Sequence, residues 1–193
     1  MEVTSFSRVS NSGIFANITS KDWTTLGAQA VNNKNVLLRR GFDRFKTEKE
    51  LRWRVLSVNF SQKWVEGILG VGEEIEVVAN YVDEDGKIRG PGGGDVMATS
   101  DGKLEALKGM MKELEMNGME KVVYVGDSGT DLECLVEDGV IGVVMSEDGE
   151  SGLLKTLGRI GFKVSHIGDY DEGLDGLYWT RDFDELLDSR LFR

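Results

Sequence analysis

Apolar residues in this chain fall into short runs bounded by glycines and charged clusters. Five runs are strand-sized: 54–59, 75–81, 122–125, 140–145 and 163–167. Between them the apolar spacing switches to three and four. Trp64, Val65, Ile68 and Leu69 follow the first run in that rhythm. Leu104, Leu107, Met111 and Leu114 mark a helix from Ser100 or Asp101 to about Asn117. Leu132, Leu135 and Val136 mark another over 130–137. A further helix covers 151–160, closed by Gly161, and a last one covers 182–190. Upstream, 21–31 is a candidate helix with Trp23, Leu26 and Ala30 on one side, and Val36–Leu38 is a short apolar run. Asp83-Glu-Asp-Gly-Lys87 reads as a hairpin turn. Gly90-Pro-Gly-Gly-Gly-Asp95 lacks the Lys-Ser/Thr ending of a phosphate-binding loop, so its glycines read as punctuation. The first 20 residues show no period. Strands alternating with helices predict an α/β fold, a parallel sheet covered on both faces.

Length and charge narrow the picture. A chain of 193 residues suffices for a single domain with a real core, here spanning 1–193 with an irregular or helical segment over 1–35. A net charge of -11 argues against binding phosphate backbones, so no nucleic-acid partner is expected. No apolar run is long enough to span a membrane, and the start, Met1-Glu-Val-Thr-Ser, has no signal-like character. The expected setting is cytoplasmic and the expected partner a small molecule. The single cysteine, Cys134, excludes an internal disulfide and sits on the buried side of a helix. The single histidine, His166, excludes a His-rich metal site and reads as a half-buried polar residue. The acidic clusters 82–85 and 169–175 lack the spacing of an EF-hand and read as solvated loops.

The stretch richest in chemistry is Val122-Val-Tyr-Val-Gly-Asp-Ser-Gly-Thr-Asp-Leu132. A strand ends in Gly126, where the chain can turn sharply. Asp127 then stands at the carboxyl edge of a sheet, where open α/β folds place ligands. Asp131 falls in the first turn of the next helix, so both carboxylates can point into one crevice, a hard-oxygen pair suited to Mg²⁺. The everyday roles compete with this: Asp127 as a helix cap and Asp131 as a first-turn acid.

Three features line up in chain order: Ser57 ending a strand, Lys103 opening a helix, and the Gly126-Asp127-x-x-x-Asp131 turn. Their order and spacing resemble the haloacid dehalogenase superfamily of phosphatases over about residues 35–150. The resemblance implies a three-layer Rossmann-like fold. It also implies a catalytic set of Asp127, Lys103 and Ser57, a substrate-binding set of Ser57, Asn59, Lys103 and Ser128, and Mg²⁺ held by Asp127 and Asp131. In that family Ser57 would hydrogen-bond a phosphoryl oxygen and Lys103 would neutralise charge, the preorganised stabilisation on which phosphoryl transfer depends.

The family's first motif, Asp-x-Asp after an apolar strand, has no match upstream of Ser57. Asp22 and Asp43 are the only aspartates there, and neither ends a strand or has a second acid two residues on. The nucleophile of an ordinary aspartyl phosphatase therefore has no counterpart, and the fold is expected to be cut short at its amino end. The strands carrying Ser57 and Asp127 must then pair directly, or Val36–Leu38 or a second copy of the chain must fill the gap, because unpaired buried backbone groups cost roughly 1–3 kcal/mol each. Three readings follow: a fragment of a phosphatase, a noncatalytic binding or oligomer-forming module, or a repurposed enzyme using the remaining acids for acid–base chemistry. The last is the leading expectation. The interval between Ser57 and Lys103 is too short for a large cap.

Overall fold

The structure, a computed structural model, describes residues 2–116, 121–171 and 176–192. The end of the expected helix at Asn117 and residues 172–175 of the acidic cluster lie outside that set. The helices are α1 (Glu2–Ser12), α2 (Ser20–Asn32), α3 (Phe42–Thr47), α4 (Gln62–Leu69), α5 (Ser100–Met116), α6 (Leu132–Leu135), α7 (Gly152–Arg159) and α8 (Phe183–Asp188). The strands are β1 (Val55–Ser57), β2 (Val77–Ala79), β3 (Tyr81–Val82), β4 (Ile88–Arg89), β5 (Val122–Gly126), β6 (Val140–Met145), β7 (Val164–His166) and β8 (Leu177–Thr180). Contacts divide the chain into two compact units, Met1–Leu38 with Leu51–Ala106, and Arg39–Glu50 with Leu107–Arg193.

In the first unit, β1 and β2 pair in parallel, with α4 as the crossover between them. Val65 on α4 packs on Val77 and Ala79, with Val55, Trp64 and Leu69 around them. Ser61 caps α4 through the Trp64 N–H, and Gly70 ends it in a left-handed conformation. Helix α2 lies against α4 at two glycines. A Cβ on Gly27 would come within 2.3 Å of the Trp64 carbonyl, and one on Gly67 within 2.1 Å of the Thr24 carbonyl. The buried side of α2 is accordingly Trp23 and Gly27, and Leu26, expected on one side with Trp23, is exposed. The turn over 83–87 forms as expected between antiparallel β3 and β4. Helix α1 was not visible in the sequence because its tie to the hairpin is polar: Ser10 accepts from the Ile88 N–H through its hydroxyl and from Lys87 Nζ through its carbonyl. The glycine-rich loop closes on itself, with Gly90, Gly93 and Gly94 donating their N–H groups to carbonyls within it.

The second unit holds a four-stranded parallel sheet in the order β5-β6-β8-β7. Side chains alternate between its faces. Ile141, Val143 and Tyr178 point to one face, packed with Ile167, Tyr170, Leu186 and Leu191. On the other, α6 presses so close that a Cβ on Gly142 would meet the Leu135 carbonyl at 2.2 Å. This is the Rossmann-like, helix-covered parallel sheet that the alternation predicts. β6 is buried along its whole length because strands flank it on both sides. β5 is half-buried except at Tyr124, because it lies at the sheet's edge. Helix α3 joins this unit by setting Phe42 and Phe45 against Phe183, with ring centroids 5.5 and 4.8 Å apart.

Two of the three expected repairs of the sheet are not what the structure shows. Among the described residues β1 pairs with β2 and β5 with β6, not β1 with β5. Val36–Leu38 forms no strand, and Leu37 is 79% exposed.

Candidate functional site

β5 delivers its last residue into a tight loop built around Asp131. The N–H groups of Asp127 and Ser128 donate to Asp131 Oδ2 at 3.1 and 2.9 Å, and the Ser128 hydroxyl donates to the same oxygen at 2.9 Å. The Tyr124 hydroxyl donates to Oδ1 at 2.7 Å. A carboxylate offers about four lone-pair positions, so these donors occupy the group. Asp131 is 4% exposed. Burial, followed by the Asp131 charge and hydrogen bond, pushes the Tyr124 hydroxyl far above its usual range, so it stays a donor.

Gly126 is needed here for a reason other than a sharp turn. Its φ is not positive. A Cβ at this position would lie 2.5 Å from the Asp131 Cβ. The glycine makes room for the acid that folds back over it.

The two acids consequently do not share a crevice. Asp131 turns inward to the loop. The Asp127 side chain is 58% exposed and lines an open pocket of about 330 Å³ with Gly129, Leu132, Gly152, Leu153 and Thr156. Its charged neighbour is Arg39, whose Nη2 stands 3.4 Å from Asp127 Oδ2. Ser128, expected to bind substrate, spends its hydroxyl on Asp131 and on Thr130, 2.8 Å away.

Ser57, Asn59 and Lys103 lie in the first unit. The Ser57 hydroxyl accepts from the Asn59 N–H at 3.2 Å, and Asn59 Oδ1 accepts from the Ser61 N–H at 3.1 Å, so both side chains shape the loop after β1. That loop is fastened by a residue with no motif to announce it. Asn80 is fully buried. Its Nδ2 donates to the carbonyls of Val58, Asn59 and Met97, and its Oδ1 accepts from the Met97 N–H. Its one sequence signal is a polar residue directly after the apolar run Val77-Val-Ala79. Lys103 is 6% exposed, not a solvated surface lysine, in the first turn of α5, which Thr99 rather than Ser100 or Asp101 caps.

Mg²⁺ requires several oxygen ligands. With Asp131 held by its own loop, this arrangement leaves one outward carboxylate, Asp127, with a guanidinium beside it. Among the described residues no group of three or more His, Cys, Asp or Glu converges as a metal site. The residues do not fit a two-acid cation site in this geometry.

Residues 93–160 match the family model described as sucrose-6F-phosphate phosphohydrolase. Over that stretch the chain is similar to a phosphohydrolase family, in line with the haloacid dehalogenase resemblance of the motif. The match runs from the glycine-rich loop to the end of α7, so Lys103, Asp127 and Asp131 fall inside the matched stretch, while Ser57 and Asn59 fall outside it. The match is to a hydrolase family, in keeping with the Rossmann-like sheet that carries Asp127. No curated protein matches the chain. No helix among the described residues is long and apolar enough to cross a membrane.

Proposed function

We propose that the haloacid dehalogenase-like part of the chain is a repurposed hydrolase-type site. It takes a small phosphorylated molecule at the carboxyl end of β5, with Asp127 as the working acid and no aspartyl-phosphate step. The observation that carries this is the division of labour between the two motif acids. Asp131 is consumed in building the loop, and Asp127 is held by that loop with its carboxylate toward an open pocket. A positioned carboxylate is the minimum needed for proton transfer to or from a bound substrate. The match to a family described as a sugar-phosphate phosphohydrolase favours a phosphate ester over other small molecules. Contact of Ser57 and Lys103 with the phosphate rests on the family resemblance. The alternative is a noncatalytic module that binds such an anion without turning it over.

Hydrolysis of an aryl phosphate, with and without Mg²⁺, tests the reading. Turnover that falls at least about 100-fold in Asp127→Asn supports an enzyme, a loss of the size expected for a positioned acid or base. Turnover unchanged in Asp127→Asn overturns it. Absence of turnover together with phosphate binding that weakens in Arg39→Gln supports the binding module instead.

A further inference from the structure

We propose that Arg39 is the resident counter-cation of Asp127 and competes with divalent cations for its carboxylate. The inference rests on Asp127 being the working acid of the site and adds a regulator to it. Three observations converge. The guanidinium already stands 3.4 Å from Asp127 Oδ2. The second acid offers no help to an incoming ion, because four donors hold it. The Arg39 backbone is anchored at its own carbonyl and just after it. Its own carbonyl accepts from the Phe42 N–H, the next residue's carbonyl accepts from the Phe183 N–H, and Phe42 is buried against the Phe183 ring.

The charge relations give the sign. The pair is solvent-exposed, with side-chain accessibilities of 36% and 58%, which makes it weak enough to open. A doubly charged ion beside Asp127 must either displace the guanidinium or sit next to a like charge, and both lower its affinity. An incoming phosphate ester would relieve this by drawing the guanidinium to itself, since arginine matches phosphate oxygens with paired N–H groups. The site therefore resists a bare cation.

The test is Mn²⁺ binding to the full-length chain at low ionic strength. Bound ion is counted by loss of the free-ion paramagnetic resonance signal, in wild type and in Arg39→Gln, Arg39→Lys and Asp127→Asn. Arg39→Gln should bind Mn²⁺ about 3- to 10-fold more tightly than wild type, from removal of one nearby positive charge. Arg39→Lys, which keeps the charge, should stay within about twofold of wild type. Equal affinity in Arg39→Gln and wild type overturns the proposal. If Asp127→Asn still weakens Mn²⁺ binding in that case, Asp127 remains the working acid and only the role of Arg39 falls. If Asp127→Asn leaves binding unchanged in both the wild-type and Arg39→Gln backgrounds, the site itself is misassigned.

Discussion

Two aspartates four residues apart do unlike work, and the difference is measurable. Removing the Asp131 side chain leaves the Tyr124 hydroxyl and two loop N–H groups without their acceptor in a buried place. Asp131→Ala should therefore lower stability by about 2–3 kcal/mol in urea unfolding. Asp131→Asn should cost less, because the amide oxygen can keep the loop N–H groups while its nitrogen turns to the Tyr124 oxygen. Asp127→Ala should change stability by less than about 0.5 kcal/mol, because its ion pair with Arg39 is exposed. A destabilisation by Asp127→Ala equal to that of Asp131→Ala would contradict the division between loop-building and outward acid.

At the level of elements, the tie between β7, β8 and α8 makes a pH-dependent contribution. Glu185 on α8 accepts from the Arg181 N–H at 2.7 Å and the Thr180 hydroxyl at 3.1 Å through Oε2, and its Oε1 lies 3.1 Å from His166 Nε2. Burial opposes ionisation of Glu185, but the Arg181 N–H, the Thr180 hydroxyl and His166 outweigh it and hold the carboxyl below its usual range. With the folded value below the unfolded one, the unfolded chain takes up the proton first as pH falls. The contribution is full at neutral pH and is lost as pH drops through the folded value. Glu185→Gln should cost about 1 kcal/mol at pH 7, and its deficit relative to wild type should close as pH falls below the usual glutamate range. A deficit that is constant with pH would remove the carboxylate from the account. β8 itself shows what the sequence conceals at this scale. Strong periodicity made β6, α5 and α7 legible to within two residues. β8 has only four residues, Leu177-Tyr-Trp-Thr180, next to an acidic loop, and nothing local marks it as the strand lying between β6 and β7. Helix α3 escaped for the same reason, because its signal is the contact of Phe42 and Phe45 with Phe183, about 140 residues on.

At the scale of the whole chain, the motif pattern located the loop correctly and misjudged the direction of one side chain. Gly126, Asp127 and Asp131 are legible because local spacing defines them. Arg39 and Asn80 are not, because each acts across a long sequence gap on groups that no motif names. The same long-range character makes Asn80 the counterpart of Asp131 in the other unit, one buried polar side chain fastening the loop at the end of a strand. Asn80→Ala would leave the Met97 N–H and three carbonyls without the amide and should cost about 2–3 kcal/mol. Asn80 and Asp131 lie in different compact units, so their effects should add within about 0.5 kcal/mol in the double variant. Urea unfolding of Asn80→Ala, Asp131→Ala and the pair decides this. A double variant losing clearly less than the sum would mean that the first substitution had already released the second loop. Each loop would then depend on the other, and the two hubs could not be treated as independent supports.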